Sequence, residues 1–249
     1  SASIRRPCLN MVRKTGLIAA LDTQDSAQAT AWAQAVAPSA GAIKLGLEFA
    51  YAAGFQAVAD VAGSAPLFLD LKLHDIPNTV GSAIRALSYL RPKMLTLHAS
   101  GGRAMLEAAR KACDEAFPAN ARPALLAVTV LTSLDDQALA ETGITDGARA
   151  QVLRLGKLAI DAGIDGLVCS AHELAPLRDT LGDKPLLVTP GIRPAGSAAG
   201  DQKRIMTPTQ ARDAGADRTV VGRSILQAAD PAQAAAPIAD DRAAKLRSP

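Results

Sequence analysis

The chain has 249 residues, of which 49% are hydrophobic, 3% aromatic and 20% charged, and its formal net charge is +3. This length fits one large α/β domain or two smaller ones, and the apolar content is sufficient for a large core. The nearly balanced charge, without a run of Lys and Arg interleaved with aromatic residues, argues against a nucleic-acid-binding protein.

Short apolar runs recur along the chain, and each is followed by a longer, alanine-rich segment. The runs cover residues 16–22, 41–46, 66–72, 93–99, 123–131, 165–170, 185–191 and 218–224. Continuous apolar runs of this length are typical of parallel strands that are covered by helices. Intervening segments such as 25–37 and 101–117 have apolar residues at spacings of three and four, which predicts helices.

Eight strand–helix units in a chain of this length predict a (β/α)8 TIM barrel. An open, doubly wound sheet is the competing architecture that the pattern alone leaves possible. Because no linker or change of composition divides the chain, we expect a single domain over residues 1–249.

Polar side chains follow the predicted strands, at or just beyond the carboxyl end of each run. In a barrel these ends meet at one mouth, where active sites lie. One charge at a strand end is usually a solvated loop residue, but recurrence on successive strands favours a common site. The residues are Asp22, Lys44, Asp70, Lys72, His98, Thr132, Ser170, Arg193 and Arg223.

The segment LFLDLKLHDIPNT, residues 67–79, places three charges at the end of an apolar strand. Asp70 and Lys72 project from the same face of an extended chain, so an ion pair is the simplest interpretation. That interpretation leaves Asp75 and the neighbouring Lys44 unexplained. Carboxylates alternating with lysines would keep Lys72 protonated in a fixed position, and such a lysine is a general acid.

Phosphate binding is predicted towards the C-terminal end of the chain. Gly222 and Arg223 follow the eighth run, where barrels often bind phosphate. Glycine permits the backbone N–H to approach an oxyanion closely, and arginine can donate two parallel hydrogen bonds to it. The loop 189–204 is long enough to be a lid, and its Arg193 and Gln202 are suited to donate to an anion.

Two further groups of residues have alternative interpretations. Asp22 and Lys44 either form a surface ion pair or bind the vicinal hydroxyls of a sugar. Asp70, His74 and Asp75 could in principle hold a divalent cation, but the lysines at the same level already supply positive charge. We therefore expect no metal.

The three cysteines, Cys8, Cys113 and Cys169, are widely spaced. Their odd number argues against a disulfide framework, and the absence of a CxxC pair argues against a zinc site. The basic N-terminal segment has no apolar stretch typical of a signal peptide, and no run of about 18 apolar residues predicts a membrane span. We expect a cytoplasmic protein that does not bind membranes.

Residues 70–79, DLKLHDIPNT, resemble the DxKxxDIPNT signature of the orotidine 5′-phosphate decarboxylase family. Further matches follow in family order over most of the chain: ALD ending at Asp22, IKLGLE around Lys44, LHASGG (97–102), VTVLTS (128–133), TPGIRPAG (189–196), DQKR (201–204) and VVGR (220–223). Leu73, where an aromatic residue is common, and Ser224, where proline is expected, depart from the pattern without removing a reacting group.

The resemblance implies cofactor-free decarboxylation of orotidine 5′-monophosphate (OMP) to UMP in pyrimidine biosynthesis. Lys72 would donate a proton to C6 of the pyrimidine as carbon dioxide leaves, with Asp70 near the substrate carboxylate. Asp75 and Thr79 would reach into the other subunit's site, which implies a homodimer. The remaining roles are ribose binding by Asp22 and Lys44, contact with the pyrimidine edge by Thr132, a bridge from base to phosphate by Gln202, and phosphate binding by Arg193, Gly222 and Arg223.

Two alternatives differ in chemistry. Magnesium-dependent sugar-phosphate decarboxylases and aldolases of the same superfamily share the DxKxxD core but lack the continuation at residues 76–79. A barrel that senses UMP without turnover is expected to have a damaged charge network, whereas Lys44, Asp70, Lys72 and Asp75 are all present.

Overall fold

The computed structural model describes residues 15–193 and 206–245, with side-chain surroundings up to residue 239. Parallel strands hydrogen-bond to one another in chain order, and β8 pairs with β1, so the sheet closes into a barrel. The strands are β1 (Leu17–Ala20), β2 (Ala42–Gly46), β3 (Leu67–Leu73), β4 (Met94–His98), β5 (Ala124–Val128), β6 (Gly166–Val168), β7 (Leu186–Thr189) and β8 (Arg218–Val221). The predicted (β/α)8 barrel is confirmed, and the open sheet is wrong.

Helices cover the outside of the barrel, and the two predicted at 25–37 and 101–117 are present as α1 and α4. The helices are α1 (Ser26–Val36), α2 (Leu47–Ala62), α3 (Pro77–Ala86), α4 (Gly102–Ala116), α5 (Asp136–Glu141), α6 (Gly147–Asp161), α7 (Leu174–Leu181), α8 (Pro208–Asp213), α9 (Arg223–Leu226) and α10 (Pro231–Lys245). None of the helices in the described ranges combines the length and the apolar character needed to cross a membrane.

The strands are shorter than the apolar runs that predicted them. The run 123–131 continues past the end of β5 because Val130 is buried although it lies outside the strand. The run 218–224 overlaps the start of α9 at Arg223. Apolar residues indicate burial, whereas the limits of a strand depend on hydrogen bonding to the neighbouring strands. The apolar runs are therefore longer than the strands that they contain.

Alternate residues of the strands form two separate apolar layers. One layer fills the barrel interior and includes Ile18, Phe68, Met94 and Leu126. The other lies between the strands and the helices. Because side chains fill the interior, the barrel is a packed core rather than a pore, and ligand sites in such barrels lie at the mouth formed by the carboxyl ends of the strands.

Local signals fix the starts of the helices that follow the mouth loops. The Asp25 carboxylate accepts hydrogen bonds from the N–H groups of Ala27 and Gln28, which caps α1. Pro77 occupies the first turn of α3, where the missing N–H has no intrahelical partner in any case. The sharp start of α3 therefore directs the chain away from the end of β3.

Candidate active site

Four charged side chains form a continuous chain at the barrel mouth. The Lys44 ammonium lies 3.0 Å from Asp22 Oδ1 and 3.5 Å from Asp70 Oδ2. The Lys72 ammonium donates to both carboxylate oxygens of Asp70, each at 2.9 Å. Positive and negative groups alternate, so the lysines and carboxylates compensate one another.

Burial and pairing act in opposite directions on the two central groups. The side chains of Lys44 and Asp70 are only 11% and 13% exposed. Burial by itself would lower the pKa of Lys44, but the carboxylates of Asp70 and Asp22 outweigh it and raise that pKa. Burial would raise the pKa of Asp70, but Lys44 and Lys72 outweigh it and lower that pKa. Both groups therefore remain charged at neutral pH.

Lys72 reaches Asp70 through an irregularity in β3. Leu69 pairs with Leu95, and Leu73 pairs with Leu97. Four residues of β3 therefore span the same distance as two residues of β4, which is a β-bulge. The bulge places Lys72 at a φ of 50°, a left-handed conformation that costs a residue other than glycine about 1–3 kcal/mol. The predicted contact between Asp70 and Lys72 is correct, but its predicted cause, simple strand alternation, is wrong.

Thr96 lies opposite this bulge and was missed by the sequence analysis. Its side chain is completely buried. The Thr96 hydroxyl accepts a hydrogen bond from the Lys72 N–H and donates one to Asp70 Oδ1, both at 2.9 Å. A usable signal existed, because a polar residue two positions after Met94 and two before His98 shares their interior face.

Two other residues predicted at the mouth have distinct surroundings. The rings of His74 and His98 lie 5.2 Å apart between centroids. Burial, followed by the charges of His74 and Lys72, lowers the pKa of His98 and favours its neutral form. The Ser170 N–H donates to the Glu173 carboxylate at 2.8 Å, so Ser170 begins a short 3-10 turn.

A polar cavity of about 230 Å³ opens at the mouth between β8, β1 and β2. Six of the predicted site residues line it: Asp22, Lys44, Asp70, Arg193, Gly222 and Arg223. Ser224, the departure from the family pattern, also contributes to its wall. A Cβ added to Gly222 would lie 3.8 Å from Asp22 Oδ2, so the backbone after β8 runs close to the carboxylate after β1.

A second cavity of about 180 Å³ lies beside the first and is mostly apolar. Phe68, Val128 and Val130 contribute to its wall, and Thr132 lies at its exposed side. Lys72 faces this cavity, whereas Lys44 and Asp70 line both cavities. The charged chain therefore lies at the junction between a polar and an apolar compartment.

Asp75 and Thr79 are exposed, and among the described residues they do not line either cavity of their own chain. The Asp75 carboxylate instead accepts a hydrogen bond from the Ile76 N–H at 2.7 Å. Within one chain, the second carboxylate of the alternating network is therefore Asp22. Asp75 lies two residues past the end of β3, and its side chain is exposed.

The predicted lid is described only at its two ends. The Arg193 N–H donates to the Met206 carbonyl at 3.1 Å, and Ile192 pairs with Met206 as a short bridge. Gln202 lies outside the described residues.

Within residues 15–193 and 206–245, no three His, Cys, Asp or Glu side chains come close enough together to hold a metal ion, and this applies to Asp70, His74 and Asp75.

Leu73, the other departure from the family pattern, has a structural position. It pairs with Leu97 where the regular ladder between β3 and β4 resumes, and its side chain packs against the outer apolar layer. A leucine therefore serves the packing at this point and leaves the charged side chains of the mouth in place.

Comparisons with known proteins agree with this arrangement. The sequence profile of the orotidine 5′-phosphate decarboxylase / HUMPS family matches residues 15–238. An orotidine 5′-phosphate decarboxylase of Gluconobacter oxydans is 60% identical over 234 residues, which cover 94% of this chain and 99% of that protein. One from Rhodospirillum rubrum is 53% identical over 226 residues, covering 89% of this chain and 92% of that protein.

A solved structure gives the same result for the fold. The crystal structure of orotidine 5′-phosphate decarboxylase from Lactobacillus acidophilus superposes with a TM-score of 0.82 at 37% identity, covering 91% of this chain and 98% of that one. The profile match, the two relatives and the superposition all extend over nearly the whole barrel. The chain belongs to the orotidine 5′-phosphate decarboxylase / HUMPS family.

Proposed function

We propose that this chain decarboxylates OMP to UMP without a cofactor, in pyrimidine biosynthesis, with Lys72 as the proton donor. The observation that carries the proposal is the position of the Lys72–Asp70–Lys44–Asp22 chain at the junction of the two cavities. A substrate with one polar, anionic end and one flat, apolar end fits this pair of compartments, and a nucleoside monophosphate has that form.

The polar cavity suits the ribose phosphate. Arg193, Arg223 and the backbone at Gly222 are placed to hold the phosphate, since a guanidinium binds an oxyanion with two parallel hydrogen bonds. Asp22 and Lys44 are placed to bind the ribose hydroxyls. The closeness of Gly222 to the Asp22 carboxylate matches the short distance between a 5′-phosphate and its ribose.

The apolar cavity suits the pyrimidine. Its walls of Phe68 and Val128 exclude water from the faces of a ring, and Thr132 offers a hydroxyl to the ring edge. Asp70 and Lys72 are at the side of this cavity that adjoins the ribose compartment. C6 of the pyrimidine, which carries the carboxylate and neighbours the ribose-bearing nitrogen, would therefore face Lys72.

The reaction breaks the bond between C6 and the carboxyl carbon, and the electron pair remains on C6. Lys72 transfers a proton from its ammonium to C6, and the neutral amine regains a proton afterwards. Asp70, fixed by Lys44 and Thr96, holds the ammonium where that charge develops. Groups that are already oriented in a site closed to water stabilise developing charge strongly, since they do not reorganise during the reaction.

The phosphate would contribute through remote binding. Binding energy gained far from the reacting carbon can drive a loop over the site and so improve the transition state as well as substrate affinity. The loop 189–204, which the sequence predicts to be a lid, is the segment we propose for this role, and residues 194–204 of it lie outside the described residues. Gln202 in this segment would bridge the base and the phosphate.

We also propose that the active form is a homodimer with composite sites. Asp75 and Thr79 flank Ile76, which is 66% exposed, a large value for an apolar side chain. A partner surface would bury Ile76 and receive the two polar residues in its own mouth.

Two further expectations are part of the proposal. The family match over residues 15–238 supports one domain over residues 1–249, and the free thiols of Cys113 and Cys169 support a cytoplasmic location.

The test is turnover of OMP by the purified protein, with and without EDTA. We expect stoichiometric UMP and carbon dioxide at the same rate in both. Loss of turnover in EDTA, restored by magnesium, would instead identify a metal-dependent decarboxylase. Tight UMP binding without turnover would identify a nucleotide sensor and contradict the proposal.

A further inference from the structure

We infer that Thr96 is a positioning residue for catalysis, whose hydroxyl joins the Lys72 backbone to the Asp70 carboxylate and so sets where the Lys72 ammonium lies. The inference rests on the proposed role of Lys72 as the proton donor.

The direction of both hydrogen bonds follows from the groups involved. A threonine hydroxyl has one proton and two lone pairs. The Lys72 N–H can only donate, so the Thr96 oxygen accepts there at 2.9 Å. The ionised Asp70 carboxylate can only accept, so the hydroxyl proton points to Asp70 Oδ1 at 2.9 Å. One hydroxyl thus satisfies the backbone and the carboxylate together.

The bulge explains why a side chain is needed at this point. The ladder between β3 and β4 is regular at Leu69 and resumes at Leu73, and between them Thr96 is the β4 residue that faces the bulge. A regular ladder would direct the Lys72 N–H to a β4 carbonyl, whereas here it meets the Thr96 hydroxyl. The hydroxyl therefore supports the backbone at the position where φ is 50°.

Thr96 is itself held firmly. Its backbone pairs with Leu126 of β5, and its neighbours Leu95 and Leu97 are completely buried. A branched Cβ leaves few side-chain rotamers in a strand. The Thr96 hydroxyl is therefore held in a fixed position. It binds the Lys72 backbone directly, and it positions the Lys72 ammonium through its hydrogen bond to Asp70.

The main test compares Thr96→Val with Thr96→Ser in OMP turnover. Valine has nearly the shape of threonine but lacks the hydroxyl, whereas serine keeps it. We expect kcat of Thr96→Val to fall about 100-fold, the size of loss that follows a misplacement of about 1 Å in a reacting group. The KM for OMP and the affinity for UMP should change less than about threefold, because the phosphate and ribose contacts are untouched. Thr96→Ser should recover most of kcat.

A pH profile separates positioning from general damage. Without the hydrogen bond from Thr96, the Asp70 carboxylate loses a donor that favours its charged form. The acid limb of the kcat profile should therefore move to higher pH in Thr96→Val and return in Thr96→Ser. A profile that keeps its wild-type position in the valine variant would contradict the inference.

Thr219→Val is the matched control. Thr219 is also completely buried in a barrel strand, and its hydroxyl has no hydrogen-bond partner among the described residues. We expect wild-type kcat in this variant. The inference is overturned if the kcat of Thr96→Val lies within about threefold of the kcat of Thr219→Val. A difference of that size is what we expect between buried substitutions that do not affect the site. If Thr96→Val does not fold, Thr96→Ser is compared with Thr96→Ala, and equal kcat values in these two overturn it.

The failure of this inference is distinguishable from failure of the proposed function. Lys72→Ala tests the proton donor without changing Thr96. An inactive Lys72→Ala together with a fully active Thr96→Val would remove only the positioning role. An active Lys72→Ala would remove the proton donor itself.

Discussion

The two ends of the barrel carry similar charged groups but bind them differently. At the mouth, the Asp70 carboxylate is surrounded by side-chain donors: the ammonium groups of Lys44 and Lys72 and the hydroxyl of Thr96. At the opposite end, the amino-terminal end of the strands, carboxylates bind arginines and the backbone of the sheet itself.

Asp217, which directly precedes β8, shows the arrangement at the amino-terminal end. Its Oδ2 accepts a hydrogen bond from the Leu187 N–H of β7 at 2.8 Å and another from Arg178 at 2.6 Å. Arg178 also donates to the carbonyls of Gly215 and Pro185. The carboxylate and the guanidinium together join the starts of two strands to the loop between them.

Asp165, which directly precedes β6, repeats this arrangement two strands earlier. It accepts from the Leu125 N–H of β5 at 2.8 Å and from Arg110 at 2.9 Å. The rigid, planar guanidinium makes several fixed hydrogen bonds at once, whereas an ammonium is a compact charge on a flexible stem. Arginines thus hold Asp217 and Asp165 at the amino-terminal end, whereas lysines hold Asp70 at the mouth.

Removing Lys72 should have the largest effect, and mainly on the chemical step. We expect Lys72→Ala to lower kcat at least about 10³-fold, within the range contributed by general acids, while UMP affinity stays within about 100-fold. Lys157→Ala is the control, because Lys157 pairs with Asp161 on the exposed side of α6. Steady-state kinetics and UMP titration measure both quantities. A Lys72→Ala protein with a tenth of wild-type kcat would contradict the role.

Mixing inactive variants tests whether the mouth is shared between subunits. Combining Asp75→Asn with Lys72→Ala subunits should restore activity, since a hybrid dimer has one site with both residues intact. Random exchange makes half the dimers hybrid, so about a quarter of all sites should be wild type by two-fold symmetry.

The control mixture combines Asp70→Asn with Lys72→Ala, whose lesions lie in the same chain's network. No site of that hybrid is intact, so it should stay inactive. Absence of recovery in the first mixture, with subunit exchange demonstrated by mass spectrometry, would show that Asp75 serves its own chain.

Removing Arg223 should weaken substrate binding at the mouth. We expect Arg223→Ala to raise KM for OMP about 10- to 100-fold, the range for hydrogen bonds to a charged group, with a smaller loss of kcat. Arg103→Ala, on the exposed Arg103–Glu107 pair of α4, is the control. The decisive comparison uses orotidine without phosphate. If wild type and Arg223→Ala differ as much on orotidine as on OMP, Arg223 does not bind the phosphate.

At the amino-terminal end the same kind of substitution should change stability rather than turnover. Asp217→Ala removes the acceptor of Leu187 and Arg178, so we expect the free energy of unfolding in urea to fall by about 1–3 kcal/mol. Asp161→Ala, which breaks only an exposed pair, should cost less than about 0.5 kcal/mol. A large drop in kcat for folded Asp217→Ala would show that the two ends are not independent.

The smallest expected effect is a pH dependence of stability from His98. Burial and the nearby His74 and Lys72 lower the pKa of His98 in the folded state, although Asp70 partly opposes them. The folded protein therefore binds fewer protons than the unfolded chain, whose His pKa is about 6.5. The stabilisation is complete above about pH 6.5 and is lost as the pH falls through the folded pKa.

Urea unfolding between about pH 7 and pH 5 measures this effect, over the range in which histidine titrates. His98→Gln should show a shallower decline in the free energy of unfolding than wild type. His172→Gln, at an exposed position away from the described mouth cavities, is the control for removing a histidine, and the slope of His98→Gln is compared with its slope. An unchanged slope in His98→Gln would show that His98 is protonated equally in the folded and unfolded chains.

Much of the fold and of the site was predictable from the sequence because it depends on local patterns. Apolar runs alternating with amphipathic segments indicate a barrel, and the barrel in turn places strand ends at one mouth. That rule predicts Asp70, Lys72 and Arg223 at the mouth, and these residues line its two cavities. The IPNT continuation after the charges favours orotidine 5′-phosphate decarboxylases over the magnesium-dependent relatives that share the DxKxxD core.

Only the tertiary structure decided how those residues meet. The contact of Thr96 with Asp70 and Lys72 joins positions 26 and 24 residues apart in the chain, and it depends on the register of β4 against a bulge. Local periodicity does not reveal this bulge, because β3 has two more residues than β4 between the paired positions, and an even offset leaves the alternation of faces unchanged. The ion pairs were likewise decided by the tertiary structure: Asp22 completes the charged chain within one subunit, whereas the Asp75 carboxylate accepts a hydrogen bond from the Ile76 N–H.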